Sequence, residues 1–135
     1  MLLAVLACTS ARDGSGGSVE LSWRLRDQTG TLLTTCSQAN VAAIRLSWDV
    51  GGVTDSEAWP CDDNHAITRF VIPEGLATLK ISPDCANGAA APATYTAPAP
   101  LVRNVQQGGV VELGAVVLLL QIDNCGKQVC TCGTL

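Results

Sequence analysis

Cysteine is the residue type with the most chemistry to offer in this chain. Seven cysteines occur among 135 residues, so at least one cannot join an intramolecular disulfide. Cys125, Cys130 and Cys132 stand close together near the end of the sequence, and such a density of thiolates suits zinc or cuprous ions. However, His65 is the only histidine, and the paired C-x2-C spacing of zinc sites does not occur. We therefore expect structural disulfides, with no metal and no cofactor.

Acidic residues beside the histidine offer a second possible chemistry. Asp62, Asp63, Asn64 and His65 are consecutive, but they lack the alternating oxygen ligands, glycine bend and final glutamate of a calcium loop. We interpret them as a solvated turn. The sequence contains no nucleophile elbow, phosphate loop or histidine-rich zinc motif. We therefore expect that this protein is not an enzyme.

Three tryptophans could bind sugar rings by stacking. Trp23 and Trp48 fall on the apolar side of alternating segments, so we expect both in the core. Trp59 stands next to Pro60 and Cys61. We expect its ring to pack against a disulfide at that cysteine, with glycan binding as the alternative.

The overall composition narrows the class of protein. The chain is 47% hydrophobic and 15% charged, which excludes a disordered chain, because disorder requires low hydrophobicity with high net charge. Twelve acidic against eight basic residues give a formal net charge of −4, and no concentrated basic surface is available for phosphate contacts. We expect one domain and no nucleic-acid partner.

The elements that would position these residues are β-strands. Residues 19–26 and 44–50 alternate apolar and polar side chains with the period of a half-buried strand. No segment has apolar residues at helical spacing over ten or more residues. This pattern predicts an all-β fold, a single antiparallel β-sandwich of about seven strands. Shorter runs also predicted as strands, around a surface loop over 82–100, are 53–59, 66–72, 76–81, 101–105, 110–113 and 115–122.

The first residues resemble the lipobox that ends a bacterial lipoprotein signal peptide. Val5, Leu6 and Ala7 occupy the three positions before Cys8, which corresponds to the acylated cysteine. The apolar run is short and lacks a basic segment, as expected if it is the end of a signal peptide that starts further upstream. The resemblance implies that the protein contacts a membrane through a lipid anchor at Cys8. The alternative is a buried N-terminal strand with an ordinary core cysteine.

Several short motifs follow one another along the rest of the chain: Trp23-x-Leu25, Cys36, Val41 with Ile44, Trp59-Pro60-Cys61, 72–79 and 105–114. In this order they resemble the small sandwich modules of bacterial surface lipoproteins of the myxobacterial type. Those modules are related in architecture to the prealbumin-like domains appended to carboxypeptidases. Because they carry two cysteines at the places of Cys36 and Cys61, the resemblance implies a disulfide between these two.

The remaining cysteines then become an even number. If Cys8 is acylated, Cys85, Cys125, Cys130 and Cys132 can close two further bridges, in a pairing that the spacing does not determine. An exported chain meets oxidising conditions, in which such bridges persist.

These observations predict four segments and one role. Residues 1–7 are the end of a signal peptide, 8–18 a lipidated cysteine with a flexible tether, 19–122 the β-sandwich and 123–135 a cysteine-rich tail. We expect an outer-membrane or periplasmic lipoprotein of the cell envelope, with a non-catalytic module in a structural or binding role and a protein or glycan as possible partner. The alternative is a secreted carbohydrate- or protein-binding adhesion domain without a lipid anchor.

Overall fold

Nine β-strands and two helical turns make up the part of the chain described in the computed structural model, residues 15–27, 33–39, 41–85, 95–96 and 100–120. The helical turns are α1 (Cys36–Ala39) and a 3-10 turn at Cys61–Asp63. The strands are β1 (Ser18–Asp27), β2 (Leu33–Thr34), β3 (Val41–Val50), β4 (Val53–Pro60), β5 (His65–Ile67), β6 (Gly75–Cys85), β7 (Tyr95–Thr96), β8 (Leu101–Val105) and β9 (Val110–Leu120).

The strands form two sheets that share one hydrophobic core. The five-stranded sheet has the order β2-β1-β9-β7, and β5 also pairs with β1. The four-stranded sheet has the order β4-β3-β6-β8. Buried side chains of both sheets belong to a single cluster. The predicted all-β sandwich is therefore confirmed.

Alternation along β1 and β3 explains how each strand contributes to that core. Both tryptophans predicted in the core are buried, Trp23 at 2% exposure and Trp48 at 4%. Fully burying a large apolar side chain stabilises a fold by roughly 1.5–3 kcal/mol relative to leaving it exposed. The buried residues of the two strands include Val19, Leu21, Trp23, Leu25, Ile44, Leu46, Trp48 and Val50.

A two-residue turn joins β3 to β4. Val50 pairs with Val53, so only Gly51 and Gly52 lie between the strands, with φ of 58° and 89°. A turn with positive φ at both central residues matches the twist of a hairpin, and glycine reaches this conformation without steric cost. The Gly-Gly pair therefore fixes the register of the hairpin.

The sheets are mainly antiparallel, with one exception. β1 and β9 run parallel and pair at nine positions from Ser18↔Val110 to Asp27↔Leu120, with a register shift between Glu20 and Ser22. Gly114, with φ of 68°, lies in β9 opposite this shift. The runs 110–113 and 115–122, predicted as separate strands, are therefore joined in one strand that extends to Leu120.

Two predicted boundaries are wrong. The loop expected over 82–100 begins later, because β6 continues to Cys85 and pairs there with the start of β3; β7 also falls inside that range. The strand expected over 66–72 ends at Ile67. Beyond it the Oγ1 of Thr68 accepts a hydrogen bond from the Val19 amide at 2.9 Å. In both places partners distant in sequence determine where the strand ends.

The chain joins the sandwich earlier than the predicted boundary after residue 18. Gly16 donates a hydrogen bond to the Phe70 carbonyl, and Gly17 forms a two-way pair with Ile72. A Cβ at Gly16 would lie 2.4 Å from the carbonyl oxygen of Ile72, so only glycine fits this packing. Residues 16–18 therefore belong to the sandwich and not to a tether. Residues 1–14 and 121–135 lie outside the described part of the chain.

Candidate functional site

The predicted disulfide between Cys36 and Cys61 is present. Their Cα atoms are 5.9 Å apart, and both cysteines are buried. Cys36 begins α1, which lies between β2 and β3, whereas Cys61 begins the 3-10 turn between β4 and β5. The bridge therefore joins two of the segments in which the chain crosses from one sheet to the other.

Trp59, whose ring was expected to pack against this bridge, contacts a second tryptophan. Its ring stacks on the ring of Trp23, with centroids 6.3 Å apart and planes inclined by 21°. The indole N–H of Trp23 donates a hydrogen bond to the Cys61 carbonyl at 2.8 Å. Trp59 itself is partly buried and packs against the core. The ring face turned towards Trp23 is therefore closed to a sugar.

The remaining predicted cysteine sites differ in what the structure shows. Cys85 ends β6, is buried and is disulfide-bonded. The predicted lipidation site Cys8 lies outside the described residues, and so do the three cysteines of the tail, Cys125, Cys130 and Cys132.

The acidic segment before the histidine forms the exposed turn that the sequence predicted. Asn64 has φ of 59° and closes the 3-10 turn, with its backbone N–H donating to the Cys61 carbonyl. Its side-chain amide donates to the Asp62 carbonyl at 3.1 Å. His65 faces Glu20 of β1, with 3.5 Å between Nε2 and Oε2. The imidazole and the two aspartates therefore do not form one site.

A small notch opens next to the disulfide. β5 pairs with residues 20–22 of β1 and β2 pairs with 25–26, which leaves Trp23 and Arg24 between the two short strands. The notch has a volume of about 280 Å³. It combines apolar and polar groups, and its lining residues are Trp23, Arg24, Leu25, Thr35, Cys36, Asp62 and Asn64.

A larger depression lies on the four-stranded sheet. The register places Ser47 opposite Ser56 and Lys80, so their side chains share the outer face. The depression has a volume of about 450 Å³, and Trp48 is among its lining residues. We call it the hydroxyl surface, and its polar lining residues are Ser47, Asp49, Thr54, Asp55, Ser56, Thr78 and Lys80.

An ion pair fixes one arginine beside the hydroxyl surface. Arg45 binds the Asp84 carboxylate with two nitrogens, at 2.9 Å from Nη2 to Oδ2 and 3.2 Å from Nε to Oδ1. Its Nη1 donates to the Ser56 hydroxyl at 2.8 Å. The hydrogen bonds with Asp84 raise the pKa of Arg45, and the charge of that carboxylate adds to the effect, whereas partial burial opposes it. The guanidinium therefore stays charged and fixed in place.

Together the fold and these surfaces define a disulfide-bonded β-sandwich module. No protein family, curated protein or solved structure matches the chain. The resemblance to surface-lipoprotein modules therefore stays a prediction.

Within the described ranges, no helix has the length and apolar character needed to cross a membrane. The same residues bring together no group of three or more side chains of the kinds that bind metals.

Sequence reasoning missed both the notch and the hydroxyl surface. Ser47 and Asp49 are polar residues of the alternating segment 44–50. The segments 54–56 and 78–80 also contain polar residues. Their assembly depends on the register between three strands. The hairpin turn at Gly51 and Gly52 was the one signal that could have aligned two of the strands.

Proposed function

We propose that this protein is a cell-envelope lipoprotein, acylated at Cys8, whose β-sandwich has a non-catalytic structural or binding role. The observation that carries the proposal is the sequence Val5-Leu6-Ala7-Cys8, followed after a short Gly/Ser-rich segment by the first strand. Two or more acyl chains would hold the protein stably, because each buried methylene contributes about 0.8 kcal/mol.

The position at which the sandwich begins limits how far it can lie from a lipid on Cys8. Only residues 9–15 separate Cys8 from Gly16, where the chain joins the fold. At no more than 3.6 Å per residue, the eight steps from Cys8 to Gly16 reach at most roughly 29 Å. A lipid on Cys8 would therefore hold the sandwich close to the membrane surface, with residues 16–18 at the end nearest to it.

Mass spectrometry of the protein isolated from its native envelope tests the proposal. We expect a mature chain that begins at Cys8 and carries the mass of a diacylglyceryl group. In a matched pair of variants, Cys8→Ser should move the protein to the soluble fraction, whereas Ser10→Ala should leave it in the membrane. An unmodified N-terminal peptide, or Cys8 found in a disulfide, would refute the lipid anchor.

The hydroxyl surface favours a second candidate, a secreted domain that binds a glycan or a protein without a lipid anchor. Its hydroxyls, carboxylates and one ammonium group can donate and accept hydrogen bonds with a polar ligand. Trp48 lines the same depression, so its fluorescence should report binding there. A shift on titration with glycans that is lost in Asp49→Ala but kept in Asp62→Ala would support this candidate. No shift across a broad panel of glycans would count against glycan binding.

A further inference from the structure

The parallel pairing of β1 with β9 places the two ends of the described chain at opposite ends of the sandwich. Ser18 of β1 lies beside Val110, and Asp27 lies beside Leu120. The chain therefore enters β1 at what we call the near end, residues 16–18 with the turn 106–109. It leaves β9 at the far end, roughly 30 Å away at the usual rise of a strand.

Tension between these two points would act along the strands. A force that pulls Ser18 and Leu120 apart loads all the hydrogen bonds between β1 and β9 at the same time, because these bonds are directed between strands rather than along them. Rupture then requires many bonds to break together. A force applied at one end only would break the same bonds one after another, each at a lower load.

We propose that the sandwich is a tension-bearing module. In it the β1–β9 pair resists a force applied between the membrane, at the near end, and the part of the chain that follows β9 at the far end. The inference depends on the proposed function in one respect only: that function identifies the membrane as the surface to which the near end is attached. Nine registered pairs along almost the whole of both strands provide the resisting contact.

The near end is built so that a pulled chain cannot peel away from its neighbours easily. Gly16 and Gly17 lie between two loops, and their backbone groups bond with Phe70 and Ile72 on one side. On the other side Gly108 donates to the Gly16 carbonyl at 3.0 Å. The bonds on both sides must break before the force reaches the first pair of β1 and β9.

The disulfide between Cys36 and Cys61 lies outside this pair of strands. Neither cysteine belongs to β1 or β9, so the bridge does not replace the hydrogen bonds that resist the force. Once β1 and β9 separate, the bridge would instead limit how far the chain extends, because the residues between the two cysteines stay closed in a loop. Cys85, which is also disulfide-bonded, ends β6.

Single-molecule force spectroscopy on the full chain tests the proposal by changing the direction of pulling. In the first geometry the handles are attached at the two ends of the chain. In the second they are attached at the N-terminus and at residue 107, in the exposed turn of the near end. We expect a markedly higher unfolding force in the first geometry at the same loading rate, since the rate of forced unfolding reflects the barrier. Equal forces in the two geometries would overturn the proposal.

Two matched leucine variants separate the role of β9 from general stability. Leu118 of β9 and Leu79 of β6 are both buried, at 0% and 1% exposure, so Leu118→Ala and Leu79→Ala should have similar midpoints of chemical unfolding. Only Leu118→Ala should lower the unfolding force strongly in the end-to-end geometry. Equal reductions by both variants would refute the assignment of the resistance to the β1–β9 pair. These measurements need no lipid, so a chain that lacks the anchor can still confirm or refute the resistance.

Discussion

The two sheets of the sandwich are assembled in different ways. In the four-stranded sheet, β3 pairs with β4 across a two-residue turn, and all its strand pairs are antiparallel. In the five-stranded sheet, β1 pairs with β9 from the other end of the described chain, and its opposite edge is shared by the short strands β2 and β5. The first sheet therefore depends partly on local turns, whereas the second requires most of the chain to be in place.

This difference has a thermodynamic consequence. Closing a loop between distant residues costs conformational entropy before any contact forms, so a pair such as β1 with β9 needs support from the rest of the fold. In this sandwich the support comes from the tryptophan stack, the disulfide and the glycine segment at the near end. Changes at these positions should therefore affect the five-stranded sheet most.

The largest effect is expected from Trp23→Ala. Removing a buried tryptophan costs about 3–5 kcal/mol. This change also removes one of the two hydrogen-bond donors to the Cys61 carbonyl, the other being the Asn64 amide, and it removes the ring that stacks on Trp59. Trp48→Ala in β3 is the matched control, because Trp48 is buried to a similar extent. Denaturant titration should show a greater loss in the free energy of unfolding for Trp23→Ala. A greater loss for Trp48→Ala would contradict the comparison of the two sheets.

Removal of the disulfide should have the next largest effect. The cysteines are 25 positions apart, and the chain-entropy estimate for a loop of this size is roughly 3–4 kcal/mol. The double variant Cys36→Ala with Cys61→Ala should therefore unfold at a clearly lower denaturant concentration. Hydrogen exchange should show the greatest loss of protection around the crossover segments that the bridge joins. Unchanged exchange there would show that the bridge does not hold the sheets together.

Gly17→Val should destabilise the near end by about 1–3 kcal/mol, the usual cost of overpacking. A Cβ at Gly17 would lie 2.4 Å from Cγ1 of Val105 and 2.6 Å from the Gln106 carbonyl oxygen. Ser18→Ala is the control, because Ser18 is fully buried and its hydroxyl has no hydrogen-bond partner among the described residues. The control should be neutral or slightly stabilising. If thermal unfolding shows equal losses for both variants, the tight packing at Gly17 is not the cause.

The smallest effect is expected at the ion pair of the four-stranded sheet. Asp84→Asn removes the charge that Arg45 binds, and such a partly exposed pair contributes about 0.5–1 kcal/mol. Because the pKa of Arg45 is raised, the contribution from its charge is fully present below the ordinary arginine pKa. It is lost only as the pH rises through the raised value. The loss should therefore be equal at neutral and mildly alkaline pH.

Asp55→Asn, at an exposed residue of β4, is the control for this ion pair. Its free energy of unfolding should stay closer to that of the unchanged protein at both pH values. A loss in Asp84→Asn that disappears in mildly alkaline solution would show that a group other than Arg45 is responsible. Added salt should reduce the difference between the two variants, because surface charges are screened.

Several features of the fold were predictable because they depend on neighbours in sequence. The inward positions of Trp23 and Trp48 follow from the period of a strand, and Gly51 and Gly52 mark the hairpin. In contrast, the alanine- and proline-rich composition after Ser82 predicted a loop where β6 continues to Cys85. That error arose because composition does not show that the backbone groups at the start of β3 form hydrogen bonds with residues 82–85.

The candidate surfaces were less predictable than the fold. Pairing of Cys36 with Cys61 was implied by a resemblance, and the structure confirms it. The stack of Trp59 on Trp23 and the hydroxyl surface depend on side chains from strands that are separated in sequence. No local pattern specifies which of these strands become neighbours.

The sequence by itself determined the all-β class of this chain and the inward positions of Trp23 and Trp48. Those properties depend on residue type and spacing along the chain, which hydrophobic periodicity and turn residues express directly. Only the tertiary structure decided that β9 lies parallel to β1, and that Gly16 and Gly17 belong to the sandwich. The physical reason is that strand pairing is satisfied by any free backbone edge, so the choice of partner depends on the packing of the whole core.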